Sequence, residues 1–256
     1  MHASDRRAAM LADIAERGFV STTDLAATFA VSEVTVRSDL AALHVDGVER
    51  VHGGAVLRPG GAEQSFELAA STLAEQKRRI GEAAAALVTS DSAIAIDVGT
   101  TGVALAAALV RRTDLERVTI ITNSISAALA LEPGIPRFDV ILSGGTLRPL
   151  QHSLVAPFAA EGFQRLRVDT AFIGCTGVDA VQGITNINVA EAELKRVIAG
   201  IAAQVVVIAD SSKFGHVDPG HVLDLAEVSL LVTDDGADAA ALAHLAATGL
   251  AVTRSS

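Results

Sequence analysis

The sequence predicts an α/β chain in two parts, a small N-terminal winged helix-turn-helix domain and a larger α/β domain with a mainly parallel sheet. Three observations predict it. The first 57 residues read as three short helices and a hairpin. From about residue 93 onward, short β-branched runs alternate with Ala/Leu-rich helical stretches. Between the two lies "RPGGAEQS", rich in Pro, Gly and polar residues, the composition of a linker. The expected boundaries are 1–57 for the first domain, 58–72 for the linker and 73–256 for the second domain.

Composition limits the function classes. Half of the 256 residues are apolar, Trp and Tyr are absent, and one cysteine, Cys175, has no partner for an internal disulfide. No apolar run approaches the roughly 18 residues of a membrane span, and the N-terminus lacks the pattern of a signal peptide. A soluble chain in a reducing cytoplasm is expected, with no metal and no cofactor. The net charge is −10, unevenly divided: residues 1–58 hold six basic and eight acidic residues (−2), and the rest carry −8. The acidity therefore belongs mostly to the second part and does not exclude DNA as a partner of the first.

The N-terminal elements follow in order. "SDRRAAMLADIAERG" has Ser4 or Asp5 as cap, turns Leu11 and Ile14 inward and stops at Gly18. "STTDLAATFA" begins with Ser21, Thr22 or Thr23 as cap, buries Leu25 with Phe29, and offers Thr22 and Thr23 as candidates for contact with DNA. After a turn at Val31–Ser32, a third helix spans roughly Glu33–Val45 and ends at Gly47. Ser32 caps it, and Val36, Leu40 and Leu43 form its inward stripe. Thr35, Arg37 and Ser38 lie off that stripe, where a helix lying in a major groove presents short polar groups and an Arg to base edges and phosphates. Arg37 either pairs with a guanine or clamps a phosphate; an ordinary amphipathic helix with a polar outer face is the alternative. "VERVHGGAVL" reads as a hairpin around Gly53–Gly54 whose Arg50 and His52 stand behind the helix, which favours a winged reader.

In the second part, "EQKRRIGEAAAALV" is a helix, with Lys77-Arg78-Arg79 a surface run. The strands are "AIAID", "VTIIT", "DVILS", "DTAFIG", "QVVVIAD" and "VSLLVT". Continuous apolar strands between helices indicate a parallel sheet covered on both faces. Small polar residues and glycines gather where these strands end, which is where open α/β sheets bind ligands. Gly99-Thr100-Thr101 follows a strand and opens a helix, so backbone N–H groups face an anion there. Thr122-Asn123-Ser124 repeats the arrangement, Gly144-Gly145 follow the next strand, and Lys213 supplies a positive charge at another strand end. Asp97, Asp179 and Glu191 are candidate acceptors for sugar hydroxyls. Lys195 and Arg196 read as a solvated helix face, and Cys175 as a small packed residue.

"VSEVTVRSDLAALHVDGVERVHGGAV" resembles the signature of the DeoR/GlpR family of bacterial transcriptional regulators. Val31, Ser32, Thr35, Val36, Arg37, Asp39, Leu40, Leu43, Gly47, Arg50, His52, Gly53, Gly54 and Ala55 carry the match. Ser38 departs from it, standing where the family usually has a second Arg. "IAIDVGTTGVALA", "TIITNS", "ILSGGTLR", "FIGCTGVD", "AEAELKR" and "VVVIADSSKFG" resemble the family's C-terminal sensing domain, which is similar in fold to ribose-5-phosphate isomerase. The resemblance implies double-stranded operator DNA and a phosphorylated sugar effector as partners. It also implies control of operator affinity by that effector, and repression of a sugar-metabolism operon. Because one helix reads few base pairs, a homo-oligomer (dimer or tetramer) is expected. Two other readings compete. A sugar-phosphate isomerase would use Asp179, Glu191 or Glu193 as base, but "QGITNINVAEAELKR" lacks the Lys-Gly-Gly-Gly loop of those enzymes. A second domain that only oligomerises would not require Thr, Ser, Asn, Gly and Lys at its strand ends.

Overall fold

The computed structural model describes residues 2–17, 19–43, 48–51, 53–57 and 63–255, in two compact units divided between Ala69 and Ala70. His52, Gly18 and Gly47, named above, lie outside the described residues.

The first unit runs α1 (Ala3–Arg17), β1 (Phe19–Ser21), α2 (Thr22–Phe29), α3 (Glu33–Ala42), β2 (Val48–Val51) and β3 (Gly54–Leu57). Its antiparallel sheet has the order β1-β3-β2. The helical stripes meet as their spacing requires: Met10, Leu11 and Ile14 of α1, Leu25 of α2, and Val36, Leu40 and Leu43 of α3 and its end close one core with Val20, Val48 and Ala55. Ala30 ends α2 in the left-handed region at φ 52, its N–H satisfying the carbonyls of Ala26 and Ala27. Gly54 is obligatory for the wing, because a Cβ there would lie 2.4 Å from the Val20 carbonyl oxygen. Within the stretch expected as linker, Phe66–Ser71 form the short helix α4, and its Leu68 packs against the first unit's core.

The second unit continues with α5 (Ala74–Ala85), β4 (Ala93–Ile96), α6 (Thr100–Arg111), β5 (Val118–Thr122), α7 (Ile125–Leu131) and β6 (Phe138–Leu142). Next come β7 (Thr146–Arg148), β8 (Ser153–Val155), α8 (Phe158–Gln164), β9 (Val168–Ile173), β10 (Gly177–Asp179) and β11 (Gly183–Asn186). Then α9 (Val189–Gly200), β12 (Ala202–Ile208), β13 (Gly220–Leu223), β14 (Leu230–Asp234), α10 (Ala239–Ala247) and β15 (Val252–Ser255) complete it. The main sheet is parallel throughout, in the order β15-β14-β12-β9-β4-β5-β6. The six expected strands all lie in it. The edge strand β15, the β7–β8 hairpin and the antiparallel sheet β10-β11-β13 add to the expected set.

Strand alternation sorts the core into two layers. Ile94, Ile96, Phe172, Val206 and Ile208 point to the side covered by α5, α6 and α7, where Ile80, Leu105 and Leu131 pack. Ala95, Ala171, Ile173, Val205 and Val207 point to the other side, under Phe163 of α8 and Leu194 and Ile198 of α9. Chain order reverses at β4: one branch runs through β5 to β6, the other through β9 to β12, β14 and β15. The end of β4 is thus the topological switch point of the sheet, where such folds place ligands.

Candidate functional site

Two polar surfaces follow from these elements. The first lies on α3. Ser32 caps it, its Oγ accepting the Thr35 N–H at 3.1 Å, and Ser21 caps α2 by accepting the Asp24 N–H at 3.0 Å. Of the three cap candidates for α2, Ser21 takes the role. Thr22, a candidate for contact with DNA, is buried, with its N–H bonded to the Gly53 carbonyl, and does not share the exposed face. Arg37 and Ser38 are exposed, Thr35 is half-buried, Thr23 is exposed on α2, and Arg50 is exposed on β2.

Sequence reasoning missed Glu33. Its carboxylate accepts from Arg37 at 2.7 Å and from the Thr23 hydroxyl at 3.2 Å, so an acid sits inside the polar face and occupies its guanidinium. An exposed pair four apart on a helix is worth only about 0.3–0.5 kcal/mol, so separating it costs little. Behind the face, Asp39 is buried and held by two arginines of α1: Arg6 Nε at 2.7 Å and Arg7 Nε at 2.8 Å. Burial works against the Asp39 charge, but the two guanidinium groups outweigh it and hold the carboxyl below the usual carboxylate range. α3 is thereby fixed to α1 through charge as well as through its apolar stripe.

The second surface lies at the carboxyl ends of the central strands. Register sets Ile96, Thr122 and Leu142 side by side on β4, β5 and β6, so the next residues, Asp97, Asn123 and Ser143, are neighbours. All three are buried, and each has a polar atom without a hydrogen-bond partner among the described residues: Asp97 Oδ1, Asn123 Oδ1 and Ser143 Oγ. Buried polar atoms in native structures are nearly always satisfied, so three on adjacent strand ends mark a place where polar groups are held ready. Gly99 (φ 132) opens α6 with no side-chain cap, leaving first-turn N–H groups unclaimed by any side chain among the described residues. Thr100 is half-buried and Thr101 buried. Gly144 and Gly145 are both exposed, and Gly145 (φ 139) passes so close to β8 that a Cβ would meet the Val155 carbonyl oxygen at 2.5 Å. Lys213 closes a turn after β12, half-buried, with no hydrogen bond or ion pair from its amine among the described residues.

Other predicted residues have different roles here. The Thr122 hydroxyl donates to the Ile96 carbonyl at 2.6 Å and accepts the Ser124 N–H, while Ser124 Oγ caps α7. Both hydroxyls are buried and spent on the backbone. Asp179 accepts the N–H groups of Val181 and Gln182 at 2.8 Å each, so its carboxylate ties the β10–β11 turn. Glu191 is buried and accepts from Ser153 at 2.8 Å and from Arg148, which bind the β7–β8 hairpin to α9.

Two lysines correct the sequence reading. Lys195 is buried, not on a solvated face, and pairs with Asp97, whose other bond comes from the Gly174 N–H. Burial works against its charge, but Asp97 and Glu191 outweigh it and hold the amine above its ordinary value. Lys77 is likewise buried and not part of a surface run. Its amine donates to the Thr72 carbonyl at 2.9 Å and lies 3.9 Å from Asp210 Oδ2. Cys175 packs against the core, and burial pushes its thiol up to about 12.

A winged helix-turn-helix unit followed by a parallel α/β unit with a polar site at its switch point defines a DNA-binding regulator with a sensing domain. The chain matches the DeoR-like helix-turn-helix domain over residues 6–58 and the DeoR C-terminal sensor domain over residues 72–235. It belongs to the DeoR family of transcriptional regulators.

Among its relatives is the HTH-type transcriptional repressor CsqR of Escherichia coli, 32% identical, with 87% of this chain and 84% of that protein covered. Another is the glycerol-3-phosphate regulon repressor of Haemophilus influenzae, 31% identical, with 87% and 86% covered. A solved ribose 5-phosphate isomerase from Methanocaldococcus jannaschii is 19% identical over 55% of this chain and 54% of its own, at a TM-score of 0.40, a likeness too slight to build on. Among the described residues, no helix is long and apolar enough to cross a membrane.

Proposed function

We propose that this chain is a repressor whose affinity for double-stranded operator DNA is set by a phosphorylated sugar bound at the strand ends of the second unit. Residues 1–57 read DNA, 58–72 join, and 73–256 sense the effector and assemble the homo-oligomer that pairs two half-sites. Thr35, Arg37, Ser38 and Arg50 form the reading face, with Thr23 and Ser32 at its edge; His52, a further candidate from the sequence, lies outside the described residues. The effector's phosphate lies against the first turn of α6 at Gly99–Thr101, with Lys213 as its cation and Gly144–Gly145 leaving room beside it. Its hydroxyls donate to Asp97 and Asn123. The family relation supports the repressor, and one relative carries the glycerol-3-phosphate regulon in its name.

The observation that carries the sensing reading is the row of unsatisfied polar atoms on Asp97, Asn123 and Ser143 beside an uncapped helix start. The chain acts without catalysis in this reading: of the acids offered as an isomerase base, Glu191 is engaged by Arg148 and Ser153, and Asp179 by the backbone of its own turn.

A thermal-shift panel of sugar phosphates and their unphosphorylated sugars tests this. Stabilisation by phosphorylated members only, and its loss in Lys213→Met, is expected. Equal shifts from the free sugars, or turnover of ribose 5-phosphate at enzyme-like rates, would overturn it.

A further inference from the structure

Lys77 joins two places that the chain has reason to connect. Its amine bonds the carbonyl of Thr72, directly before Leu73, which sits at φ 50 in the left-handed region that residues with a Cβ seldom adopt. Leu73 starts α5, and α4 on its other side begins the passage back to the first unit. The same amine faces Asp210, whose Oδ1 accepts the Ser212 N–H at 3.1 Å and so heads the turn that carries Lys213. α5 makes a second tie of this kind, from Arg79 to Asp235 after β14 at 3.4 Å. One buried donor thus spans the distance between a strained bend and the turn proposed to hold the effector's charge.

We propose that Lys77 is the positioning residue through which occupancy of the strand-end site reaches the segment leading to the DNA-reading unit. The proposal rests on the sugar-phosphate reading of that site. An ammonium has three donors; one goes to the Thr72 carbonyl, and Asp210 lies within ion-pair reach of the same amine. Burial and the nearby Lys213 ammonium both disfavour the Lys77 charge while Asp210 favours it, and the amine is pushed down to about 8. An anion arriving beside Lys213 screens that repulsion and draws the Ser211–Lys213 turn toward itself. Asp210 moves with the turn, the hold on Lys77 changes, and so does the bond that keeps Thr72 and Leu73 in their bend. Two discrete arrangements of one hydrogen-bonded group are what coupling between separated sites requires.

The test uses the full-length chain, a duplex it selects from a randomised pool, and glycerol 3-phosphate, ribose 5-phosphate and inorganic phosphate as probes. The quantity read is the ratio of duplex Kd with and without the probe that gives the largest thermal shift. Lys77→Met is expected to bring that ratio at least fivefold closer to one, with probe and duplex affinities, each measured alone, within about threefold of the original chain. Lys77→Arg is expected to keep most of the ratio. A ratio unchanged in Lys77→Met, with the probe still bound, overturns the role of Lys77 and leaves the sensing site standing. No thermal shift of the original chain by any probe overturns both together. Hydrogen exchange of the original chain is a check that needs no variant. Exchange at amides 71–77 is expected to change when the probe is added, and unchanged exchange there overturns the proposal.

Discussion

Arg6 and Asp39 meet at 2.7 Å, and this bond, with that of Arg7 to the same carboxylate, fastens the first helix of the reading unit to its third. Arg6 and Arg7 are therefore occupied by the protein itself. Removing the acid, by Asp39→Ala, leaves two neighbouring guanidinium groups of α1 without the carboxylate they share. We expect a loss of about 2–3 kcal/mol, below the range for a fully buried pair because Arg7 remains partly exposed. The folded carboxyl is held below its ordinary value, so its stabilisation is complete above that value and is lost as pH falls through the lowered one. Thermal unfolding of the first unit between about pH 5 and pH 2 should weaken less steeply in Asp39→Asn than in the original chain.

Glu33 pairs with Arg37 at 2.7 Å on the face proposed to read DNA. Glu33→Gln should tighten non-specific duplex binding, because the guanidinium no longer has an internal partner. Fluorescence anisotropy against an unrelated duplex measures it, and unchanged affinity would mean that Arg37 does not reach the backbone.

Ser38 is exposed on the same face. Ser38→Arg should raise non-specific affinity and steepen the log–log salt dependence by about 0.9 for one added phosphate contact. A variant that does neither would show that position 38 faces away from DNA.

Lys195 and Asp97 are a buried pair, and removing one partner strands the other. Lys195→Met should cost about 3–5 kcal/mol in urea unfolding of the second unit, and adding Asp97→Asn should recover most of it. Equal stability in the single and double variants would contradict the pairing.

The Cys175 thiol, pushed up to about 12 by burial, is almost wholly protonated near neutral pH. Iodoacetamide should label it far more slowly in the folded chain than in urea, as mass spectrometry reads. Comparable rates would place the thiol in a reactive environment.

Much of the fold was legible because periodicity is local. Val36, Leu40 and Leu43 read as a helix stripe, and the apolar runs read as buried parallel strands, directly from spacing. The short strands β10, β11, β13 and β15 have three or four residues each and no such pattern, so tertiary pairing alone defines them.

The site residues divide in the same way. Gly99–Thr101 and Lys213 announce themselves by following strands. The neighbourhood of Asp97, Asn123 and Ser143 depends on register between strands. Lys195 read as solvated because its partner, Asp97, is 98 residues away. A signal was present all the same: Lys195 falls on the stripe of Glu191, Ala192, Ile198 and Ala199, and Lys77 on that of Ile80, Gly81 and Ala84. A charge on an inward stripe is a charge that needs a partner. Thr122 and Ser124 show the converse, since a polar residue at a strand end serves the backbone as readily as a ligand.

Release of the selected duplex by sugar phosphates tests the central claim most directly, with the full-length chain titrated at constant ionic strength. One phosphorylated member of the panel should change duplex affinity at least tenfold, an effect lost in Lys213→Met, while its unphosphorylated sugar does nothing. Duplex affinity that is the same with every member, at concentrations that stabilise the protein, would contradict the account.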